Sequence, residues 1–226
     1  LAAGIQKDPM MIQIGEQHNP IETITQHVHA VMRQQKMDML VHMLQNRQMF
    51  SVLVFSRTKH GADKISRTLE HAGIDSVAIH SGRSQSQRQR ALDDFKQGKC
   101  QVMVATDIVA RGIDVRGISH VINFDVPLFA QDYVHRIGRT GRACATGDAI
   151  TFVAPDEHDQ LRRIERFIGC RLALEEYEGF TCSQFTATLS RSEEQSRAQR
   201  QVARARKAAR RPRLVRRRSL ASARRG

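Results

Sequence analysis

The run Ser51-Val52-Leu53-Val54-Phe55 places four large apolar residues in succession. A continuous apolar run of this kind is typical of a strand that is buried on both faces of a parallel sheet. Similar runs recur at residues 76–79, 101–105, 120–124 and 149–153. Apolar residues at helical spacing separate them, over 61–72, 87–97 and 130–137. Strands that alternate with helices predict an α/β fold, with a parallel sheet, right-handed crossovers and helices on both faces.

The same patterns extend to both sides of this central region. Residues 24–31 alternate between two faces, which predicts a half-exposed strand with His27 and His29 facing outward. Helical spacing of apolar residues also predicts a helix over 36–44 and a last amphipathic helix over 156–168. We therefore expect one globular domain over 21–180, preceded by a turn-rich linker over 1–20.

The positive charge of the chain is concentrated at one end. Residues 190–226 carry fourteen Lys and Arg against two Glu, a net +12 out of the total of +13. When these are subtracted from 36 basic and 23 acidic residues, 22 basic and 21 acidic residues remain in the body. A segment with so much charge and so few large apolar residues buries too little to offset its ordering entropy. We expect residues 190–226 to be a disordered basic tail.

Polar loops follow three of the predicted strands. They are Ser56-Arg57-Thr58-Lys59, residues 80–88 and residues 106–114. Ligands of open parallel sheets bind beyond the carboxyl ends of the strands, so these loops are candidate functional segments. For each loop alone, capping of the next helix by Ser, Thr or Asp is the simpler explanation. Capping does not explain why arginines recur in all three.

The stretch Asp132-Tyr133-Val134-His135-Arg136-Ile137-Gly138-Arg139-Thr140-Gly141-Arg142 spaces three arginines by three residues. On a helix, Arg136, Arg139 and Arg142 fall on one side and converge. Like charges so placed need a polyanion or a carboxylate network opposite them, because the planar guanidinium suits phosphate and carboxylate oxygens. A solvated basic helix end is the alternative, but it does not explain the intervening glycines or the apolar residues between the arginines.

Together these segments resemble the second RecA-like domain of DEAD-box RNA helicases, most closely those of the bacterial RhlE type. The resemblance covers residues 9–179 and rests on four motifs in the order and spacing of the family. They are Val54-Phe55-Ser56-Arg57-Thr58-Lys59, Ser84-Gln85-Ser86-Gln87-Arg88, Ala105-Thr106-Asp107-Ile108-Val109-Ala110-Arg111-Gly112-Ile113-Asp114, and residues 133–142. Any one of these motifs is a weak signal, whereas the four together are a specific one.

The resemblance implies roles at the nucleotide. Arg139 and Arg142 are implied to be arginine fingers, which reach the β- and γ-phosphates of ATP and stabilise charge on the transferred phosphoryl group. Asp114 is implied to bind the ribose hydroxyls. The residues implied to link this domain to its partner domain are His135, Arg136 and Arg111.

The resemblance also implies an RNA site. Its residues are Arg57, Thr58, Gly82, Gln85, Arg88, Thr106 and Asp107, with Gln85 as a structural support. Such a site holds the RNA backbone and is therefore independent of RNA sequence. Arg83 departs from the family pattern, because many relatives carry another residue at this position.

Two family motifs are missing from this sequence, which has no GxxxxGK[ST] phosphate loop and no Asp-Glu-Ala-Asp run. The family keeps both in its first domain. The resemblance therefore implies that ATP and Mg²⁺ are held mainly by an N-terminal domain outside this chain. We expect the chain to be the C-terminal half of the enzyme, beginning near the interdomain linker, and to be inactive alone.

Further expectations concern location and partners. The four cysteines form no CxxC pair and no zinc-spaced cluster, so we expect reduced thiols, no disulfide and no metal. No apolar run approaches the ~20 residues of a membrane span, so we expect no membrane partner. The resemblance implies a cytoplasmic enzyme that binds RNA and its own N-terminal domain. Ribosomal particles and RNA-decay proteins are further partners that it suggests.

Two other functions fit parts of the sequence. The first is an RNA-tethering module without nucleotide chemistry, but tethering gives no reason for a ribose-binding Asp114 beside Arg139 and Arg142. The second is a DNA-acting helicase of the same superfamily, but the amino-acid sequence of residues 135–142 favours the DEAD-box family. Codons for a phosphate loop and an Asp-Glu-Ala-Asp motif upstream of Leu1 would decide between these functions.

Overall fold

The computed structural model describes residues 24–46, 48–110, 115, 117–141 and 147–178. All of them belong to one compact unit of the chain, Leu1–Phe185. The predicted linker over 1–20 and the predicted tail over 190–226 lie outside the described residues, so both stay predictions. Within the described ranges, no helix has the length and apolar character that a membrane span requires.

The described strands form one parallel sheet. The strands are β1 Ile24–Ala30, β2 Val52–Phe55, β3 Ser76–Ile79, β4 Val102–Ala105, β5 His120–Asn123, β6 Gly147–Val153 and β7 Leu174–Glu175. Their order in the sheet is β3-β4-β2-β5-β6-β1-β7, and every pairing is parallel. This confirms the predicted parallel α/β fold, since all six predicted runs became strands.

Helices connect most of these strands. They are α1 Lys36–Asn46, α2 Lys59–His71, α3 Gln85–Lys96, α4 Asp107–Ala110, α5 Ala130–Ile137 and α6 His158–Ile168. Short 3-10 helices precede two of them, at Arg33–Gln35 and Pro155–Glu157. Two helices begin two residues earlier than their apolar spacing predicts, because Thr58 and Ser84 cap them.

The helices cover both faces of the sheet, as predicted. Successive side chains of a strand point to opposite faces, so Val52 and Val54 of β2 pack with α1 and α2, while Leu53 and Phe55 pack with Phe95 of α3. Helices α5 and α6 cover the β1 and β6 end of the second face. The sheet is therefore buried in its centre, and its carboxyl edge carries the connecting loops.

One prediction about β1 is wrong. His29 was expected to face outward, but only 3% of its surface is exposed. The short strand β7 pairs with β1 and brings Glu175 O to 3.3 Å from His29 Nδ1, while Tyr177 packs edge-on against the imidazole ring. The side chain of His27 keeps 30% of its surface exposed, in agreement with the expectation. Burial of His29 depends on β7, which the sequence pattern did not reveal.

Candidate functional site

The parallel register brings the polar loops to one edge of the sheet. Phe55, the last residue of β2, is level with Ala105 of β4 on one side and Asn123 of β5 on the other. Ile79, the last residue of β3, is level with Ala105. The residues that follow these strand ends therefore meet at the carboxyl edge. All seven candidate RNA residues lie at this edge: Arg57, Thr58, Gly82, Gln85, Arg88, Thr106 and Asp107.

Helix capping accounts for part of these loops. Thr58 caps α2, where its hydroxyl oxygen accepts a hydrogen bond from Gly61 N at 2.9 Å. Ser84 caps α3 through a reciprocal pair of hydrogen bonds with Gln87. Gln85 lies in the first turn of α3. The N-termini of two helices, α2 and α3, are therefore at the edge. Each presents backbone N–H groups and a partial positive charge, which attract phosphate.

Arg136 lies inside the domain. Only 2% of it is exposed, and its Nε and Nη2 atoms donate to the two carboxylate oxygens of Asp107 at 2.6 and 2.9 Å. Its Nη1 atom donates to Asn123 Oδ1 at 3.2 Å and to Asp125 O at 2.7 Å. The guanidinium also stacks 5.0 Å from the centre of the Phe55 ring. The predicted carboxylate opposite the arginines is thus present for Arg136, within its own domain.

This geometry gives two of the candidate residues a contact inside the domain. Arg136 is expected to link to carboxylates of a partner domain, whereas its burial and its bidentate pair with Asp107 join α4, the end of β5 and α5 within this domain. Asp107 was expected to bind RNA, but both of its carboxylate oxygens accept from Arg136. Asp107 therefore has a structural contact in this domain, and its role at RNA stays a prediction.

The arginines at 136 and 139 do not share one side of a helix. Helix α5 ends at Ile137 and Gly138 caps it, so Arg139 lies in the turn that follows, where its backbone N donates to Arg136 O at 3.1 Å. Thr140 fixes this turn, because its buried hydroxyl donates to Ile118 O at 2.6 Å. The two guanidiniums therefore separate, one inward and one on the turn.

Gly147, the first residue of β6, makes room for this turn. A Cβ atom at position 147 would lie 2.2 Å from Thr140 Oγ1 and 2.3 Å from Gly141 N, which is closer than real Cβ contacts. Gly141 itself has a positive φ of 65°, a conformation that glycine adopts without strain. The path of residues 138–141 is thus set by glycines and by one buried hydroxyl.

Several candidate residues remain to be placed. Arg111, Asp114 and Arg142 lie outside the described residues, so their roles stay predictions. His135 is exposed on α5, and Thr106 is 8% exposed at the end of β4. The structure therefore brings the RNA candidates to one edge. Of the nucleotide and interdomain candidates, it describes His135, Arg136 and Arg139.

A buried ionic cluster at this edge was missed by the sequence reasoning. Lys36 and Glu157 are each 1% exposed and are hydrogen bonded at 2.5 Å. Lys36 Nζ also donates to Phe124 O at 2.7 Å and Phe152 O at 3.1 Å. Burial lowers the pKa of Lys36, and the Glu157 carboxylate opposes this shift. One signal was available: a lysine at the first position of a helix is disfavoured by the helix dipole unless it is paired.

Arg57 is attached to the same cluster. Its Nη2 atom donates to Glu157 Oε1 at 3.0 Å and to Val126 O at 3.1 Å, and its backbone N donates to Asp125 Oδ2 at 2.9 Å. The side chain of Arg57 keeps 31% of its surface exposed. Unlike Arg136, Arg57 is hydrogen bonded on its inner side, to Glu157 and Val126, and remains accessible at the edge of the sheet.

A second missed cluster orders the loop after β3. His80 Nδ1 accepts from Gly82 N at 3.1 Å, and His80 Nε2 and Arg83 Nη2 donate to Asp63 Oδ1 at 2.9 and 2.8 Å. Burial disfavours ionisation of Asp63, but the hydrogen bonds from His80 and Arg83 outweigh it and lower the pKa of this carboxyl. The cluster fixes Gly82 and engages Arg83, the residue that departs from the family pattern.

The two surface clefts along α6 lie away from these residues. They measure about 400 Å³ and 410 Å³ and share Arg162, Glu165 and Arg171 in their walls. No described candidate for RNA or nucleotide binding lines either of them. The candidate site is therefore an open edge and not either of these clefts.

Sequence comparison places this architecture among known proteins. Residues 35–144 match the family model described as Helicase conserved C-terminal domain. The chain is 40% identical over 166 residues to the DEAD-box ATP-dependent RNA helicase CshA of Bacillus licheniformis. The aligned region covers 74% of this chain and 34% of that protein. The chain spans about a third of the length of the curated relatives of this name that it matches.

Solved structures share the same fold. The E. coli DEAD-box protein SrmB, bound to regulator of ribonuclease activity A, matches with a TM-score of 0.64 and 33% identity over 68% of this chain and 91% of that chain. S. cerevisiae Dbp5, bound to RNA and ADP BeF3, matches with a TM-score of 0.61 and 29% identity over 67% of this chain and 41% of that chain. The SrmB match extends over nearly all of that chain, so the similarity covers a whole domain and not a single motif.

Proposed function

The chain belongs to the DEAD-box protein family, and from this premise we propose that it is the C-terminal half of an ATP-dependent RNA helicase. The full-length enzyme would hydrolyse ATP and separate short RNA duplexes locally. CshA carries the name of such a helicase, and the Dbp5 structure holds both RNA and a nucleotide. The observation that carries the proposal is the single sheet edge that collects Arg57, Thr58 and the N-terminus of α3.

This edge suits an RNA backbone. The helix N-termini of α2 and α3 supply N–H groups and partial positive charge, and Arg57 supplies an accessible guanidinium. Contacts of this kind address phosphate and sugar, so we propose RNA binding that is independent of sequence. Arg88 and Thr106 complete the proposed surface. Asp107 is left out of it because it is paired with Arg136.

The chain supplies one half of the proposed ATP site. Arg139, on the turn fixed by Thr140 and Gly147, and Arg142 are proposed to contact the β- and γ-phosphates, with Asp114 at the ribose. Guanidiniums fit this task, since they stabilise the charge that develops during phosphoryl transfer. The phosphate loop that would cradle the nucleotide is absent from the sequence, so we assign it to the N-terminal domain.

Mg²⁺ is also assigned to the N-terminal domain. The carboxylates nearest the edge, those of Asp107, Asp125 and Glu157, already accept hydrogen bonds from arginine or lysine side chains or from a backbone N–H. In the part of the chain that the structure describes, no group of three or more His, Cys, Asp or Glu side chains is arranged to hold a metal. When bound, Mg²⁺ neutralises charge on the phosphates. This chain contributes arginines to that task.

Partners and location follow from the same proposal. The N-terminal domain is the first partner, and the complex of SrmB with regulator of ribonuclease activity A supports a protein that docks on the family's C-terminal domain. We propose ribosomal particles or RNA-decay proteins as further partners and the RhlE type as the subgroup. A cytoplasmic location fits an RNA substrate and the free thiols of Cys100 and Cys170.

The chain alone is expected to have no RNA-stimulated ATPase activity, because it lacks a phosphate loop. Full-length enzyme should turn over ATP in the same coupled assay when single-stranded RNA is added. The matched control is the chain carrying Arg139→Ala. Turnover by the wild-type chain above this control would show that the nucleotide site is complete without a second domain.

The predicted basic tail, residues 190–226, is expected to contribute strongly to RNA affinity. Each phosphate neutralised on a single strand releases counterions and adds about −0.7 to the slope of log K against log salt. Removing the residues after Ser190 should therefore weaken RNA binding and flatten this slope, while the melting temperature of the domain stays nearly unchanged. Fluorescence anisotropy at several KCl concentrations measures both quantities. Equal affinity and slope before and after truncation would leave RNA binding to the loops at the sheet edge alone.

A further inference from the structure

We propose that Glu157 is a positioning residue for RNA binding, which holds Arg57 in the orientation that meets a phosphate. This inference rests on the proposed function, in which Arg57 contacts the RNA backbone. Glu157 itself is 1% exposed, so it cannot touch RNA. Its effect must pass through the guanidinium that it binds.

The contacts fix Arg57 at both ends. At the backbone, Arg57 N donates to Asp125 Oδ2 at 2.9 Å. At the guanidinium, Nη2 donates to Glu157 Oε1 at 3.0 Å and to Val126 O at 3.1 Å. Both described side-chain hydrogen bonds leave from Nη2, so the donors of Nη1 are available for a phosphate oxygen. A long side chain that is already ordered loses less entropy when it binds.

The charges explain why a carboxylate in this place does not cancel Arg57. Glu157 accepts from Lys36 Nζ at 2.5 Å through Oε2 and from Arg57 through Oε1. Lys36 and Arg57 thus share one anion, with Arg33 Nη2 at a longer 4.0 Å from Oε1, and Lys36 is as deeply buried as Glu157. Lys36 neutralises the carboxylate from inside the domain, so a net positive charge remains at Arg57. The buried pair orients the arginine without removing its attraction for phosphate.

The sign of the expected effect separates positioning from simple electrostatics. Removing an acidic group near a polyanion site should strengthen binding if only charge matters. If Glu157 positions Arg57, its neutralisation should weaken binding instead. Asp156 is the matched control, since it is the adjacent residue, carries the same charge and pairs with Arg33 while its side chain is 62% exposed. D156N should bind RNA as tightly as the wild type or more tightly.

The experiment measures the anisotropy of a fluorescein-labelled single-stranded oligouridine with the full-length protein, over a series of KCl concentrations. Variants R57A and E157Q should each weaken binding by about tenfold, as expected for the loss of one charge-assisted hydrogen bond. Each should reduce the salt slope by about 0.7. The double variant R57A/E157Q should be no weaker than R57A alone, because Glu157 acts through Arg57.

A second variant keeps the test valid if E157Q does not fold. K36M/E157Q removes both buried charges together and leaves the net charge of the protein unchanged, and such replacements are often neutral for stability. It should also weaken binding about tenfold, since Arg57 loses its carboxylate while Lys36, 1% exposed, cannot itself reach RNA. Thermal melting confirms that each variant used is folded.

Two outcomes are distinguishable. If R57A weakens binding while E157Q and K36M/E157Q bind like D156N, the proposed RNA contact stands and the positioning role is overturned. If R57A itself binds RNA as the wild type does, the RNA contact of Arg57 in the proposed function has failed. Weaker binding by R57A and by the Glu157 variants, with no further loss in R57A/E157Q, supports the positioning role.

Discussion

Replacing Arg139 by alanine in the full-length enzyme is expected to lower kcat by about 10³-fold or more, the effect that arginine fingers have in related phosphoryl-transfer enzymes. The reason is that a finger acts on charge that is largest in the transition state, so KM for ATP should change little. Arg142→Ala should behave in the same way. Steady-state ATPase measurements at saturating RNA separate kcat from KM.

The structure offers a matched control for this prediction. Arg163 is exposed on α6, and Arg163→Ala removes the same charge. Its kcat should equal that of the wild type. A variant Arg139→Ala with normal kcat and raised KM would mean that the arginine only binds the nucleotide, and the assignment as a finger would be wrong.

Arg136→Ala is expected to have the largest effect on stability, about 3–5 kcal/mol of unfolding free energy. The substitution leaves the Asp107 carboxylate, Asn123 Oδ1 and Asp125 O without the donor that now satisfies them. It also empties the space beside the Phe55 ring. Urea denaturation of the chain, followed by circular dichroism, measures the loss.

Two further variants test the reason for this effect. Arg136→Lys should rescue only part of the stability, because an ammonium cannot reproduce the bidentate pair with Asp107. Arg83→Ala removes an arginine whose side chain is 41% exposed and pairs with Asp63, so it should cost less than about 1 kcal/mol. An Arg136→Ala protein as stable as Arg83→Ala would contradict a structural role for the buried pair.

The fold was largely predictable because its core strands are continuous apolar runs. Strands β2, β4 and β5 have a neighbouring strand on each side and need apolar side chains on both faces, which gives a strong local sequence signal. Strand β7 has only two exposed residues and no such signal, and so the burial of His29 beneath it could not be predicted. Short strands depend on the partner that they pair with, which the local sequence does not specify.

The site was predictable only in part. Motif spacing identified Arg57 and Thr58, and the structure brings them to one edge with the start of α3. Motif spacing could not show that Arg136 points inward to Asp107. The sequence around an arginine is the same whether its guanidinium binds a ligand or a buried carboxylate. Lys36 and Glu157 are more than a hundred residues apart, so their contact exists only in the folded chain.

The pairing of β1 has a consequence for how the domain is made. Its neighbours in the sheet are β6 and β7, and Ile24 is level with Gly147, more than a hundred residues later in the chain. At ribosomal rates of about 5–20 residues per second, β1 waits on the order of ten seconds for its first neighbour, whereas β2 to β5 can assemble among themselves. During that interval the nascent chain carries an unpaired strand with Val28 uncovered, a surface open to association with other chains. Translation that stalls before β6 would therefore leave an aggregation-prone intermediate, in which β2 to β5 are paired and β1 is not.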